Sequence, residues 1–197
     1  LHEREKVDKR WPAAINYIQQ AGLNEFLGEG NADIGIIVQG GLFNTLNRAL
    51  ELFGLSDVFG RCRLPLYVLN VTYPIVDDEV RRFCSGKRAV LMVEEGQPEF
   101  IEHNLNTIIR RLDLSTRVCG KQFFPQAGEY TASVMARALH GFLETYQPEL
   151  IQGRSNPENL PKCNSSLDSL VHPRPPSFCT GCPERPIFSA MKLVERQ

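Results

Sequence analysis

The chain has 197 residues, which is enough for one domain of ordinary size with tails or for two small domains. With 42% hydrophobic and 23% charged residues, its composition is that of globular proteins and not of disordered, fibrous or disulfide-scaffold classes. The formal net charge of −1 argues against nucleic acid or anionic membrane as partners, because these usually require a basic excess. No apolar run approaches the roughly 18 residues needed to span a bilayer, and the charged N-terminus has no signal-peptide character. We therefore expect a cytoplasmic protein.

The two ends of the chain favour an internal piece of a longer protein. The sequence begins at Leu1 without a methionine and stops at Gln197, within a predicted helix over residues 187–195. We interpret the chain as a fragment.

The first predicted element is a helix over residues 3–22. Trp11, Ile15 and Ile18 recur at spacings of three and four residues, and Gly22 is suited to end a helix. This segment predicts a helical lead-in over residues 1–29.

Apolar runs then alternate with amphipathic segments. The predicted order is strand 34–38, helix 42–53, strand 66–69, helix 77–83, strand 89–93, helix 98–111, strand 117–120 and helix 131–145. Short continuous apolar strands are typical of a sheet that is buried on both faces. Alternation with helices predicts an α/β domain with a parallel sheet over residues 30–146.

Proline marks the region that follows. Eight of the thirteen prolines lie between Pro148 and the C-terminus, and apolar periodicity disappears over residues 147–176. We predict a linker there, the least ordered internal stretch of the chain.

A turn and an acidic pair are candidate site residues. The turn at Gly40 and Gly41 joins a predicted strand to a helix, where N–H groups can hold a phosphate, but it lacks G-x-G-x-x-G and a Walker lysine. We favour a tight turn without a ligand. Glu94 and Glu95 follow the third strand, at the edge where open sheets bind ligands. Because adjacent residues on an extended chain point apart, helix-entry or interdomain salt bridges are favoured over an acid/base pair.

The histidines and most cysteines receive no functional role. Four histidines lie on separate elements without ligand spacing: His2, His103, His140 and His172. Four cysteines are scattered and predicted to be small buried hydrophobic residues: Cys62, Cys84, Cys119 and Cys163.

Cys179 and Cys182 form a C-x-x-C pair, in which two thiolates can bind one metal or cluster. The spacing alone leaves several types of site open. Zinc would need two further ligands, and a thioredoxin-like redox pair belongs between a strand and a helix of its own fold, not after a proline-rich linker.

Residues 174–185 read RPPSFCTGCPER. This run resembles the entry to the thiamine diphosphate-binding domain of indolepyruvate ferredoxin oxidoreductases, which typically reads R-P-P-x-x-C-x-G-C-P-x-R. Glu184 departs from the pattern, since a histidine is common there. Upstream segments are also similar to the middle region of that family: Glu3-Arg4, Ala13-Ala14, Gly22-Leu23-Asn24, Gly35-Ile36-Ile37, Tyr73-Pro74 and Val93-Glu94-Glu95. The resemblance covers almost the whole chain.

The resemblance implies a domain order. Residues 30–146 would form a three-layer domain similar to the transketolase C-terminal domain, after the helical lead-in. Residues 147–176 would be a linker, and residues 177–197 an irregular tail that starts the thiamine diphosphate-binding domain.

The resemblance also implies an activity for the parent enzyme. The thiamine ylid would attack the keto carbon of an aryl 2-oxoacid, carbon dioxide would leave, electrons would pass through iron–sulfur clusters to ferredoxin, and coenzyme A would take the acyl group. The parent would hold thiamine diphosphate, Mg²⁺ and a [4Fe-4S] cluster. By position, Cys179 and Cys182 match two ligands of that cluster, and the remaining ligands would lie beyond Gln197.

For this chain alone the resemblance implies no catalytic residue and no bound cofactor. Its expected partners are other domains or subunits of the parent, ferredoxin for the parent, and further copies in a homo-oligomer. Three basic pairs, Arg81-Arg82, Lys87-Arg88 and Arg110-Arg111, are interpreted as a solvated face, with a coenzyme A or ferredoxin contact as the alternative. The alternative for the whole chain is a stand-alone docking or scaffolding domain without catalysis.

Overall fold

Five short strands form one sheet in the computed structural model of the chain, which describes residues 2–29, 32–153, 182 and 184–195. The strands are β1 (Glu25–Leu27), β2 (Ile34–Gln39), β3 (Leu66–Leu69), β4 (Ala89–Val93) and β5 (Arg117–Cys119). The helices are α1 (His2–Glu5), α2 (Trp11–Gln20), α3 (Phe43–Leu52), α4 (Asp77–Cys84), α5 (Phe100–Arg111), α6 (Ala132–Tyr146) and α7 (Arg185–Val194). A π-helical segment, Lys6–Arg10, joins α1 to α2, and 3-10 turns occupy Gly40–Leu42 and Pro148–Leu150.

The sheet has the strand order β1-β3-β2-β4-β5. Strand β2 lies at its centre and pairs in parallel with both neighbours, so that Ile36 lies opposite Leu66 of β3 and Leu91 of β4. Strand β5 is parallel to β4, and only β1 is antiparallel among the described strands. Each parallel connection carries a helix back across the sheet, which buries the central strands on both faces. The predicted α/β class with a mainly parallel sheet is confirmed.

Helices cover both faces of the sheet and divide the apolar interior into two layers. On one face, α3 and α6 pack against Ile34, Ile36 and Val38 of β2. On the other face, α4 and α5 pack against Ile37. The alternation follows from the two-residue period of a strand. Truncation of one such buried side chain to alanine typically costs about 2–5 kcal/mol, so these two layers hold the sheet and helices together.

Two details differ from the sequence prediction. Strand β1 is absent from it, because three residues are too short to show a period. Helix α5 begins at Phe100 and not at Pro98, since Glu94 receives the first N–H groups of this helix. The predicted end of the first helix is confirmed: Gly22 has φ +58°, the left-handed conformation that glycine adopts after a helix.

The chain divides into two units, Leu1–Leu160 and Pro161–Gln197. In the second unit the structure describes Cys182 and residues 184–195, which contain α7. Residues 154–176 of the predicted linker lie outside the described residues. The expected low order of this stretch therefore stays a prediction. The boundaries of the predicted domains and the transketolase-like label stay predictions.

No helix in the described ranges combines the length and the apolar character needed to cross a bilayer.

Candidate functional site

The carboxyl ends of the parallel strands meet at one edge of the sheet, the carboxyl edge, where α/β sheets usually bind ligands. Gln39 ends β2, Asn70 follows β3, Glu94 and Glu95 follow β4, and Lys121 follows β5. The sequence predicted the location of the two glutamates. Their surroundings decide what chemistry this edge can perform.

Glu94 is buried, with 5% of its surface exposed. Its two carboxylate oxygens accept hydrogen bonds from the backbone N–H groups of Ile101 (2.9 Å) and Glu102 (3.0 Å). These N–H groups belong to the first turn of α5 and have no partner within the helix, and their dipole favours a negative charge. Glu94 therefore stabilises the start of α5, at the predicted helix entry, but through backbone N–H groups and not through a salt bridge.

Glu95 is exposed and serves another segment. Its Oε1 accepts a hydrogen bond from the backbone N–H of Tyr130 (2.9 Å), while its own N–H donates to Oε1 of Gln39 (2.9 Å). The carboxylates of Glu94 and Glu95 thus have separate partners, and the expectation that they do not form one acid/base pair is supported. Neither takes part in a salt bridge among the described residues.

Lys121 is a cation at the carboxyl edge that the sequence analysis did not identify. Its ammonium group donates to the carbonyl oxygens of Glu94 (2.8 Å) and Gly96 (2.8 Å) and to the hydroxyl of Tyr130 (2.7 Å). Its position two residues after β5 was the available signal, because residues after parallel strands reach this edge. With all three N–H donors in use, Lys121 holds the loop after β4 against the loop after β5.

Tyr130 completes this contact. Its hydroxyl donates to the carbonyl oxygen of Pro125 (3.0 Å) while it accepts from Lys121. Burial, followed by the nearby carboxylates of Glu95 and Glu94, raises the pKa of Tyr130 to about 12. The phenol therefore remains protonated at neutral pH and acts as a structural donor.

The Gly40-Gly41 turn forms a 3-10 turn at the same edge. A side chain at Gly40 would collide with Oδ1 of Asn70. The Asn70 amide donates to the carbonyl of Leu23 (2.9 Å) and to Glu25 (2.8 Å), which ties the segment before β1 to β3. Close packing accounts for Gly40, which supports the tight-turn interpretation over phosphate binding.

An open groove of about 700 Å³ runs along the start of α5. Ile75 contributes to its floor, and Tyr73 and Phe100 flank it with 71% and 70% of their surfaces exposed. The lining has more apolar than charged character, and its buried carboxylate, Glu94, is already held by α5.

A second buried carboxylate lies under α4. Glu79 accepts hydrogen bonds from the amide of Asn24 (2.8 Å) and the hydroxyl of Tyr67 (2.6 Å). Burial, and then the hydrogen bond to Glu79, raises the pKa of Tyr67. Since Asn24 also accepts from the N–H of Val71 (2.9 Å), the network fastens the segment before β1 to the sheet.

The described cysteines behave as predicted. Cys62, Cys84 and Cys119 are buried free thiols in a loop, in α4 and in β5. Burial raises the pKa of each, that of Cys84 to about 12, which disfavours the reactive thiolate. Cys163 lies outside the described residues.

The basic pairs contact neighbouring side chains through some members only. Arg82 lies over the ring of Phe26 (4.4 Å), Lys87 lies over Phe83 (5.0 Å), and Arg88 forms a salt bridge with Asp33 (3.3 Å).

The histidines of the described part do not converge. His103 and His140 each lie near a glutamate one helical turn away, at 3.6 and 3.9 Å.

The structure describes only one of the two cysteines that the resemblance matches to cluster ligands. Cys182 is a half-buried free thiol, and Cys179 lies outside the described residues. No group of three or more His, Cys, Asp or Glu side chains in the described part is placed to hold a metal ion. At the carboxyl edge the carboxylates of Glu94 and Glu95 would repel a diphosphate, and Lys121 already binds carbonyl groups. No cofactor chemistry is assigned to this edge.

Comparison with known proteins identifies the family. No protein-family model matches the chain. Three curated proteins named indolepyruvate oxidoreductase subunit IorA are similar to it. The protein of Methanothermobacter marburgensis is 32% identical over 86% of this chain. Those of Methanothermobacter thermautotrophicus and Archaeoglobus fulgidus are 29% and 26% identical over 96% and 98% of it. This chain belongs to the indolepyruvate oxidoreductase family. It spans about a quarter of the length of these relatives, 24% of the first and 27% of the other two.

Family membership was the interpretation drawn from residues 174–185 and the upstream segments, and it is confirmed. The relatives' names describe a subunit of an oxidoreductase, in agreement with a fragment of an enzyme of that class. Cluster binding by Cys179 and Cys182 stays a prediction.

Proposed function

We propose that this chain is a non-catalytic internal domain of a thiamine diphosphate-dependent indolepyruvate ferredoxin oxidoreductase. The parent enzyme would oxidatively decarboxylate an aryl 2-oxoacid to an acyl-CoA and pass the electrons to ferredoxin. The observation that carries the proposal is the similarity to IorA subunits, which extends over 84–98% of this chain.

The geometry of the carboxyl edge supports a structural role within that enzyme. Glu94 binds the start of α5, Glu95 binds the Tyr130 segment, and Lys121 binds backbone carbonyls. A general acid or base needs a free position within hydrogen-bond reach of a substrate. These groups instead join loops of the same domain to one another, which suits a structural and non-catalytic role.

The name of the relatives supports the expectation of partner subunits. They are called a subunit, so we expect the parent of this chain to assemble with at least one other subunit. Within the parent, Cys179 and Cys182 would supply two of the thiolates of a [4Fe-4S] cluster, completed by residues outside this chain.

The test compares this chain with the full-length protein that contains it. Both are incubated anaerobically with iron and sulfide, titrated with thiamine diphosphate and Mg²⁺, and assayed for indolepyruvate-dependent reduction of a viologen dye, with and without the partner subunit. We expect activity and cluster uptake from the full-length assembly and neither from the 197-residue chain.

Two results would contradict the proposal in different ways. Turnover, saturable thiamine diphosphate binding or stoichiometric cluster uptake by the chain alone would show that it is catalytic. An inactive full-length assembly that binds its partner subunit normally would favour the docking or scaffolding alternative.

A further inference from the structure

A dense group of cations lies at the amino end of the sheet, opposite the carboxyl edge. Residues 81–88 and 110–117 contain seven basic residues and one acidic residue. We call the seven the basic edge: Arg81, Arg82, Lys87, Arg88, Arg110, Arg111 and Arg117. Helices α4 and α5 end there, and strands β4 and β5 begin there, so the parallel topology brings the two segments together.

Backbone contacts fix the two segments against each other. The buried Thr116 hydroxyl lies within hydrogen-bond distance of the carbonyls of Cys84 (2.7 Å) and Lys87 (2.8 Å). The N–H of Arg117 donates to the carbonyl of Arg88 (3.0 Å). The cations are therefore presented on one ordered surface and not on independent loops.

Little of this charge is neutralised by its surroundings. Arg88 pairs with Asp33, and Asp113 is the acidic residue within the two segments. Four arginines are exposed and form no side-chain hydrogen bond or salt bridge with a described residue: Arg81, Arg110, Arg111 and Arg117.

Stabilisation of helix ends accounts for part of the basic edge. Arg81, Arg82, Arg110 and Arg111 lie in last turns, where a cation contributes about 0.3–1 kcal/mol. Lys87, Arg88 and Arg117 lie outside the helices and gain nothing from that effect. The concentration of charge exceeds what two helix ends require.

We propose that the basic edge is a docking surface for the acidic surface of another protein. The carbonyl ends of α4 and α5 point to this edge, so it lacks the converging N–H groups that hold a small anion. Nucleic acid and anionic membrane are disfavoured, because the chain has a net charge of −1 and an acidic carboxyl edge on the same domain. A protein partner presents its carboxylates locally and can approach the basic edge alone.

This inference goes beyond the proposed function and does not rest on it. It is tested by fluorescence anisotropy, with labelled poly-L-glutamate as the acidic probe and the full chain at low and at physiological ionic strength. The patch variant carries Arg81→Ala, Arg110→Ala, Arg111→Ala and Arg117→Ala. The control variant carries Arg4→Ala, Arg10→Ala, Arg48→Ala and Arg137→Ala, which remove equal charge from exposed positions elsewhere. A third variant replaces the four patch arginines by lysine.

We expect the patch variant to bind the probe about tenfold more weakly, and the control and lysine variants to bind it nearly as the parent chain does. Binding of the parent chain should weaken as salt is added. Equal losses in the patch and control variants would overturn the proposal, since net charge alone would then explain binding. Tighter binding of duplex DNA or phosphatidylserine vesicles would overturn it in favour of those partners. Self-association abolished by the patch substitutions would assign the surface to a second copy of the chain.

Discussion

Adjacent acidic residues in this chain have different structural roles. Glu94 is buried and accepts two N–H groups of α5, whereas Glu95 is exposed and accepts one N–H group of a distant segment. A buried carboxylate that satisfies otherwise unpaired helix N–H groups contributes more to stability than an exposed one, because its loss leaves these donors buried without partners.

We therefore predict that Glu94→Ala lowers the free energy of unfolding by about 2–3 kcal/mol, and Glu95→Ala by less than about 1 kcal/mol. Urea unfolding followed by circular dichroism measures both values. Equal losses in the two variants would show that Glu94 does not act through α5.

Tyr130 makes the free energy of unfolding depend on pH in the alkaline range. Its pKa in the folded state, about 12, is higher than the value of about 10 expected when unfolded. The protonated phenol thus contributes stability that is complete below pH ~10 and is lost as pH rises towards ~12, because the unfolded chain releases the proton first.

We predict that the urea midpoint of the chain falls between pH ~10 and ~12, and that Tyr130→Phe reduces this fall without removing it. A remainder is expected because burial also raises the pKa of Tyr67 and Cys84. Tyr17→Phe, which removes one hydroxyl group at an exposed position, is the matched control. A Tyr130→Phe variant with the full pH dependence would contradict this account.

At the scale of elements, α4 packs against the sheet through a position that only glycine can occupy without rearrangement. A Cβ at Gly35 of β2 would lie 2.8 Å from the ring of Phe83 and 3.0 Å from the Lys87 side chain. The Phe83 ring cannot move freely, because it also packs against two other rings. Its centroid lies 5.5 Å from that of Tyr67 and 6.2 Å from that of Phe26.

We predict that Gly35→Ala destabilises the chain by about 1–3 kcal/mol, as overpacking does in other cores. Gly41→Ala is the matched control, since a Cβ there meets no atom within 4 Å. It should change the free energy of unfolding by less than about 0.5 kcal/mol. Differential scanning calorimetry of both variants tests the pair, and an unchanged Gly35→Ala variant would mean that α4 shifts at no cost.

At the scale of the whole molecule, backbone amides should be best protected from hydrogen exchange at the centre of the sheet. Strand β2 is paired on both sides and buried on both faces, whereas the residues of α1 and of Lys6–Arg10 are all exposed. Amides at the centre exchange only through global unfolding, and exposed helix ends exchange through fraying.

We predict that, among the described residues of the first unit, β2 and β4 exchange slowest in hydrogen–deuterium exchange mass spectrometry and residues 2–10 exchange fastest. The rate for β2 should report the same free energy as urea unfolding. If residues 2–10 were as protected as β2, the N-terminal helical segment would have to be part of the core.

The two edges of the molecule also differ in charge, for a reason of topology. Helices α4 and α5 each connect two parallel strands, so both begin at the carboxyl edge with acidic residues and end at the amino edge with basic residues. Acidic residues therefore collect at the carboxyl edge and basic residues at the amino edge, while the chain as a whole has a net charge of only −1. Composition alone conceals this separation.

The sequence by itself determined the elements whose signal is local. Strands β2, β3 and β4 were predictable because burial on both faces requires continuous apolar runs, and the helices because one apolar stripe faces the sheet. Family membership was also readable from the sequence, since the motif around Cys179 and Cys182 and the order of the upstream segments are properties of the chain. The location of Glu94 and Glu95 at the carboxyl edge followed from their place after a parallel strand.

Only the tertiary structure decided which groups meet. Strand order and the antiparallel β1 depend on pairing between distant residues, which leaves no period in three residues. The contact of Lys121 with Tyr130, the cap that Glu94 provides to α5 and the joining of residues 81–88 to residues 110–117 all bring together segments separated in the chain. Hydrogen bonds and charge patches are set by such proximity, and proximity is created when the two apolar layers close over the sheet.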